Sequence, residues 1–188
     1  VASALDRETA AFQVVNVLAI DSGLDPGKKS STGTLSVTIL DVNDNIPICS
    51  PTIYMAEISE DASQGTAVAS LNCIDNDDDP AAVNNQITYS LLGPDGLGSF
   101  VVDSVTGQVD LSATPALDAE TQDSYELLIS VVDNGSPSLS SIATVYVTIT
   151  GVNEDPPSFS TDTYAASVAE DEDINTVITD VSASDPDI

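Results

Sequence analysis

One oxygen-rich run occurs twice in this chain, and its recurrence constrains the fold more than any other feature. Asp41-Val42-Asn43-Asp44-Asn45, followed by Pro47, is matched 110 residues later by Gly151-Val152-Asn153-Glu154-Asp155, followed by Pro156. Other pairs keep that spacing to within two residues. Leu5-Asp6-Arg7-Glu8 recurs as Leu117-Asp118-Ala119-Glu120, Glu60-Asp61 as Glu170-Asp171, and Asp75-Asn76-Asp77 as Asp185-Pro186-Asp187. A repeat of this length is the size of one small domain, so the chain is read as a tandem array. Pro47 and Pro156-Pro157 mark the joints. Residues 1–46 are expected to end one repeat, 47–155 to form a complete one, and 156–188 to open a third. Half a repeat cannot bury its own apolar face, so the two end segments should need covering. The sequence reads as part of a longer protein.

Between the joints, apolar and polar residues alternate with period two. Thr34–Ile39 and Thr144–Ile149 are clear half-buried strands, as are Ala67–Leu71 and Ile87–Leu91. Turn residues separate them at Asp21-Ser22-Gly23, Thr106-Gly107 and Asn134-Gly135-Ser136-Pro137. No long stretch has helical periodicity. The expected class is all-β, with each repeat an antiparallel sandwich. Val, Ile and Leu must fill the core, because aromatics make up 4% of the chain and Trp is absent.

Charge removes several functions. With 31 acids against 3 bases the net charge is −28, which leaves no basic surface for nucleic acid or an anionic membrane. The acids recur at fixed places between patterned strands, unlike the blocks of a disordered acidic tail. Carboxylates, amide oxygens and backbone carbonyls in one short run suit a hard cation such as Ca²⁺, which takes six to eight oxygens. Asp75-Asn76-Asp77-Asp78-Asp79 begins like an EF-hand loop. That loop needs Gly at its sixth position and Glu at its twelfth, where this chain has Pro80 and Gln86. Without histidine, Cys49 and Cys73 make no zinc site. No base stands beside a nucleophile, and no glycine loop is built to cradle phosphate. The chain is therefore not read as an enzyme.

In order and in kind, these motifs resemble the extracellular repeats of the cadherin superfamily. The ordered set is Leu5–Glu8, Asp41–Asn45, Glu60-Asp61, Asp75–Asp77, Asn84–Ser90, Thr106-Gly107 and Asp133-Asn134-Gly135. The resemblance implies seven-stranded Greek-key sandwiches with three Ca²⁺ at each joint. At the first joint it assigns Asp6, Glu8, Asp41, Asn43 and Asp44, the backbone carbonyls of Val42 and Asn45, and from the next repeat Asp75, Asp77, Asp133 and the Asn84 carbonyl. At the second it assigns Glu60, Asp118, Glu120, Asn153, Glu154, Asp185 and Asp187, with Val152 and Asp155 standing where Val42 and Asn45 stand. Gly151 replaces the counterpart of Asp41, and Glu154 that of Asp44. The second joint is therefore expected to bind calcium more weakly and to bend more.

Cys49 and Cys73 should lie on the first and second strands of the complete repeat. A disulfide between them is favoured over two buried free thiols. Asn134-Gly135-Ser136 fits an N-glycosylation acceptor, but Pro137 follows it and the turn reading is preferred. Outward Ser and Thr around Thr144–Thr148 could carry O-linked sugar, as in some family members. The resemblance further implies an extracellular adhesion module, part of a cell-surface ectodomain, in which calcium stiffens a rod. Its partners would be neighbouring repeats of the same chain and a homophilic or heterophilic protein. The alternatives are a filament or matrix building block without cell–cell recognition, and a loose acidic calcium reservoir.

Overall fold

The computed structural model describes residues 4–24, 26–81, 83–93, 96, 98–112 and 117–187. Strands form where the alternation is cleanest. In β11 (Ser140–Thr150), Ala143, Val145, Val147 and Ile149 point inward and are buried. In β10 (Ser124–Asp133), Leu127, Ile129 and Val131 do the same. The two strands pair antiparallel with Leu127 opposite Val145 and Ile129 opposite Ala143, so both apolar sets fall on one face.

Residues 48–150 close into a sandwich. One sheet runs β4–β11–β10–β7, where β4 is Ile53–Ser59 and β7 is Ile87–Leu92. β4 lies parallel to β11, and the other pairs are antiparallel. The opposing layer pairs β3 (Ile48–Cys49) with β6 (Cys73–Ile74) and orders β5 (Ala67–Ser70), β9 (Gln108–Leu111) and β8 (Phe100–Val102) as β5–β9–β8. Two strands of the seven are broken. The first divides into β3 and β4 at Ser50-Pro51, because proline brings no N–H to a ladder. The second divides into β5 and β6 at Leu71-Asn72, where the Leu71 N–H turns to the Gly107 carbonyl. Counting each broken strand once gives the expected seven-stranded, all-β sandwich.

Tyr89, Ile58 and the inward residues of β10 and β11 meet Phe100, Val109, Leu111, Leu71 and Cys49 in one core. Each large apolar side chain buried there contributes about 1.5–3 kcal/mol. Phe100 packs edge-on to Tyr125 with ring centroids 5.1 Å apart. The β8–β9 turn needs glycine for two reasons. Gly107 has φ +70°, and a Cβ there would stand 2.9 Å from the Tyr89 ring. Cys49 and Cys73 are cross-strand partners on β3 and β6 and are joined by a disulfide.

Two smaller pairs flank the sandwich. The hairpin β1 (Phe12–Ile20) with β2 (Ser30–Thr38) repeats the β10–β11 register, with Val15 opposite Leu35 as Leu127 is opposite Val145. Both of its faces are exposed, including Phe12, Val17, Leu18 and Leu35. The short pair β12 (Ser158–Phe159) with β13 (Ala183–Ser184) sets Phe159 opposite Ala183, as Cys49 is set opposite Cys73. Among the described residues no helix is long and apolar enough to cross a membrane.

Candidate metal centres

Local hydrogen bonding fixes the acids before any long-range contact does. Asp6 accepts from the Thr9 N–H and hydroxyl at 3.1 and 2.8 Å, and Asp118 accepts from Thr121 in the same way at 2.8 Å each. These Thr9 bonds hold the Asp6 carboxyl below its ordinary pKa. Asp75 accepts from the Asp77 N–H and Asp185 from the Asp187 N–H, at 2.9 and 3.1 Å. The Asn45 N–H then reaches Asp77, as the Asp155 N–H reaches Asp187, both at 3.2 Å. The two joints thus share one local construction.

Tertiary folding draws the first set together. One carboxylate oxygen from each of Glu8, Asp41 and Asp77 lies within 4.8 Å of the others. Glu8 comes from the segment before β1, Asp41 from the linker and Asp77 from the loop after β6. Asn84 donates to Asp41 Oδ2 at 2.7 Å. Asn43 donates to Asp133 Oδ2 at 3.1 Å and to the Pro137 carbonyl at 2.7 Å, its amide pressed against Gly135. Asp133, which is buried, also accepts the N–H groups of Gly135 and Leu139. Asp44 and Val42 stay at the surface, and a groove of about 270 Å³ runs along Asp6, Glu8, Asp44 and Asn45.

The unpaired atoms decide what this cluster suits. Asp41 Oδ1, Asn43 Oδ1, Asp75 Oδ2 and Asp77 Oδ2 are all buried without a hydrogen-bond partner. Asp77 is 2% exposed and Asn43 9%. Protein interiors leave few such atoms, since an unpaired buried polar group costs about 1–3 kcal/mol and a charged one more. Like charges 4 Å apart cost a further ~4 kcal/mol per pair at an effective dielectric near 20. Desolvation, then Asp77, Asp133 and Asp41, push the Asp75 carboxyl above its ordinary pKa. The Asp78 N–H bond pulls Glu8 down, yet desolvation and the Asp41 and Asp6 carboxyls leave it raised. Bound divalent cations would answer these orphan oxygens. The residues fit Ca²⁺, which prefers carboxylate and amide oxygen.

At the second joint Glu60, Glu120 and Glu154 form the matching group, one oxygen of each within 4.8 Å of the others. Glu60 is buried and braced, with Oε2 accepting the Ala119 N–H at 2.7 Å and Oε1 the Val152 N–H at 2.5 Å. These two bonds hold its carboxyl low. Glu154 is pushed up to about 7 by desolvation and by Glu60, Glu120 and Asp187. Among the described residues one orphan oxygen is found here, Glu120 Oε1, against four at the first joint. Asn153 is exposed where Asn43 is buried, and no turn equivalent to 133–137 closes over it among the described residues.

The Cadherin domain model matches residues 54–150, a little over half of the chain. The chain belongs to the cadherin family. Human Protocadherin Fat 1 is 38% identical over 183 residues, covering 97% of this chain and 4% of that protein. The Fat-like cadherin-related tumor suppressor homolog of Drosophila melanogaster is 40% identical over 184 residues, covering 98% of this chain and 4% of that protein. Among solved structures, mouse Cadherin-23 EC22-24 superposes with TM-score 0.85 at 27% identity, covering 99% of this chain and 57% of that one. Extracellular cadherin domains 1-4 of Protocadherin Gamma B7 give 0.84 at 29%, covering 98% and 43%. The superposed length shows that cadherin architecture extends past the central sandwich into both flanking segments.

Two residues bear on the cadherin joints beyond those the motifs single out. Asp21 accepts from the Gly23 and Lys29 N–H groups at 3.1 and 3.0 Å, as Asp133 does from Gly135 and Leu139. Asp21-Ser22-Gly23 stands 112 residues before Asp133-Asn134-Gly135, the offset of the Leu5 and Leu117 motifs, so spacing alone could have found it. Arg7 is the other, and its contacts are between residues too distant in sequence to be legible there.

Proposed function

We propose that this chain is a run of extracellular cadherin repeats whose joints are set rigid by Ca²⁺, serving as a stretch of an adhesion ectodomain and not as an enzyme. Residues 1–46 end one repeat, 47–155 form a whole one and 156–188 begin the next. The matching registers of β1–β2 with β10–β11 and of β12–β13 with β3–β6 support this division. The reading rests chiefly on one observation, the four buried oxygens without partners at the first joint. They come from Asp41 and Asn43 in the linker and from Asp75 and Asp77 in the following repeat, so ions satisfying them would tie the two together.

At this joint Glu8, Asp41, Asn43, Asp75, Asp77 and Asp133 would hold calcium, with Asp6, Asp44 and the carbonyls of Val42, Asn45 and Asn84 around them. At the second, Glu60, Asp118, Glu120, Asn153, Glu154, Asp185 and Asp187 would do so, with Val152 and Asp155. The bound ions supply positive charge that cancels carboxylate repulsion. The protein supplies a preset cradle, braced by the Thr9, Thr121, Ala119 and Val152 donors. Affinity is expected around 10⁻⁵ to 10⁻³ M, matched to calcium outside cells. The Cys49–Cys73 disulfide suits the same oxidising compartment. Small-angle scattering during a calcium titration tests the reading. The chain should become longer and stiffer as calcium enters the millimolar range, and a profile indifferent to calcium and chelator overturns it.

A further inference from the structure

Arg7 is one of three bases in the chain, and the other two, Lys28 and Lys29, sit side by side between β1 and β2. Its side chain is 11% exposed and lies among the acids of the first joint. Nε donates to the Asp78 carbonyl at 2.5 Å and Nη1 to the Ile39 carbonyl at 2.6 Å, while Nη2 is 3.5 Å from the Asp78 carboxylate. Ile39 precedes the linker and Asp78 belongs to the loop that follows β6, so one guanidinium spans the joint. Glu8 completes the grip by accepting the Asp78 N–H at 3.1 Å. Asp78 is thereby held at its N–H, its carbonyl and its carboxylate.

We propose that Arg7 is a positioning residue, a latch that joins the two repeats without any metal ion. The planar guanidinium offers donors in fixed directions from three nitrogens and serves two carbonyls and a carboxylate together, whereas an ammonium's three donors radiate from one atom. Its charge also stands beside Asp78 and acts on Asp79, so it opposes acid repulsion there in calcium-poor solution. The second joint has no such part. Ala119 occupies the matching position, is 3% exposed and packs beside Gly151. The joints therefore differ in kind. As calcium falls, the first joint keeps an arginine latch that the second lacks, where the Asp155 N–H to Asp187 bond remains. This rests on the calcium reading above but makes a separate claim, about the joint after the ions leave.

Amide hydrogen exchange on the full chain, in calcium and in chelator, tests it. In chelator the Asp78 amide of the unaltered protein stays protected, and Arg7→Ala speeds its exchange about tenfold or more. Arg7→Lys keeps the charge and loses the fork, and should recover less than half of that protection. Amides of β10 and β11 report whether the sandwich is intact. If Arg7→Ala disturbs them, Arg7→Gln keeps most of the aliphatic stem and gives the same readout. Equal Asp78 exchange in Arg7→Ala and the unaltered protein overturns the latch, as does full recovery by Arg7→Lys, which would make charge alone sufficient. Failure of the calcium reading looks different: protection at Asn45 and Asp78 would then ignore calcium in every variant.

Discussion

Asp77 shows how a single carboxylate is fixed for a role it cannot fill alone. Its Oδ1 takes the Asn45 N–H and side-chain amide, while its buried Oδ2 has no partner. Replacing it with Asn removes the charge and keeps the size. Calcium affinity of the first joint, measured by titration calorimetry, should fall at least tenfold. In chelator the same substitution should stabilise the protein by about 1–3 kcal/mol, since a buried carboxylate without a counter-ion is lost. Gly151→Asp is the converse test. A Cβ there meets nothing closer than Glu120 Oε1 at 3.4 Å, Ala119 Cβ at 3.6 Å and Glu60 Oε1 at 3.7 Å, so the side chain fits and brings a carboxylate beside two others. The variant should bind calcium more tightly at the second joint and melt at a lower temperature in chelator. Unchanged calcium affinity would mean that Gly151 is not what distinguishes the joints.

At the scale of elements, the sandwich depends on strands of very unequal strength. β10 and β11 pair over nine residues and carry most of the core, whereas β3 and β6 pair over two. The disulfide compensates for that short ladder by closing a loop of sequence separation 24. Substituting both Cys49 and Cys73 with Ala should lower stability by about 3 kcal/mol, read from the denaturant midpoint. Ile129→Ala, at a fully buried position in β10, should cost about 2–5 kcal/mol through the cavity it leaves. What could be read in the sequence follows from range. Alternation in Thr144–Ile149 is a local signal, and so is the turn at Thr106-Gly107; both gave their elements directly. The repeat spacing placed the acids in order because tandem copies share one construction. Glu60, by contrast, is braced by N–H groups 59 and 92 residues away, and Arg7 reaches a carbonyl 71 residues away. No local pattern encodes such pairings, which exist only once the strands have set their register. Where the second strand divides at Leu71-Asn72 was equally hidden, because the Leu71 N–H pairs with the distant Gly107 carbonyl and the Asn72 N–H with the Tyr54 hydroxyl.

Across the whole molecule, a charge of −28 spread over one sandwich and its two flanking segments makes shape a question of electrostatics. Carboxylates are concentrated at the joints, so repulsion acts where the chain is able to bend and not on the cores. Simple salt and calcium should then have different effects. Monovalent ions only screen, shortening the Debye length from about 14 Å at 0.05 M to about 4 Å at 0.5 M. Calcium, held as proposed, would bind ligands from both sides of a joint and fix their geometry. In chelator, raising NaCl over that range should shrink the radius of gyration, because the joints fold back once repulsion is screened. With saturating calcium the same change should leave the radius nearly constant, since the charge is neutralised and the joint is held. Small-angle scattering at the two salt concentrations, with and without calcium, separates these four states. If the chelated chain keeps its dimensions as salt rises, repulsion between carboxylates does not govern the joints, and their stiffness must come from direct contacts such as the one Arg7 makes.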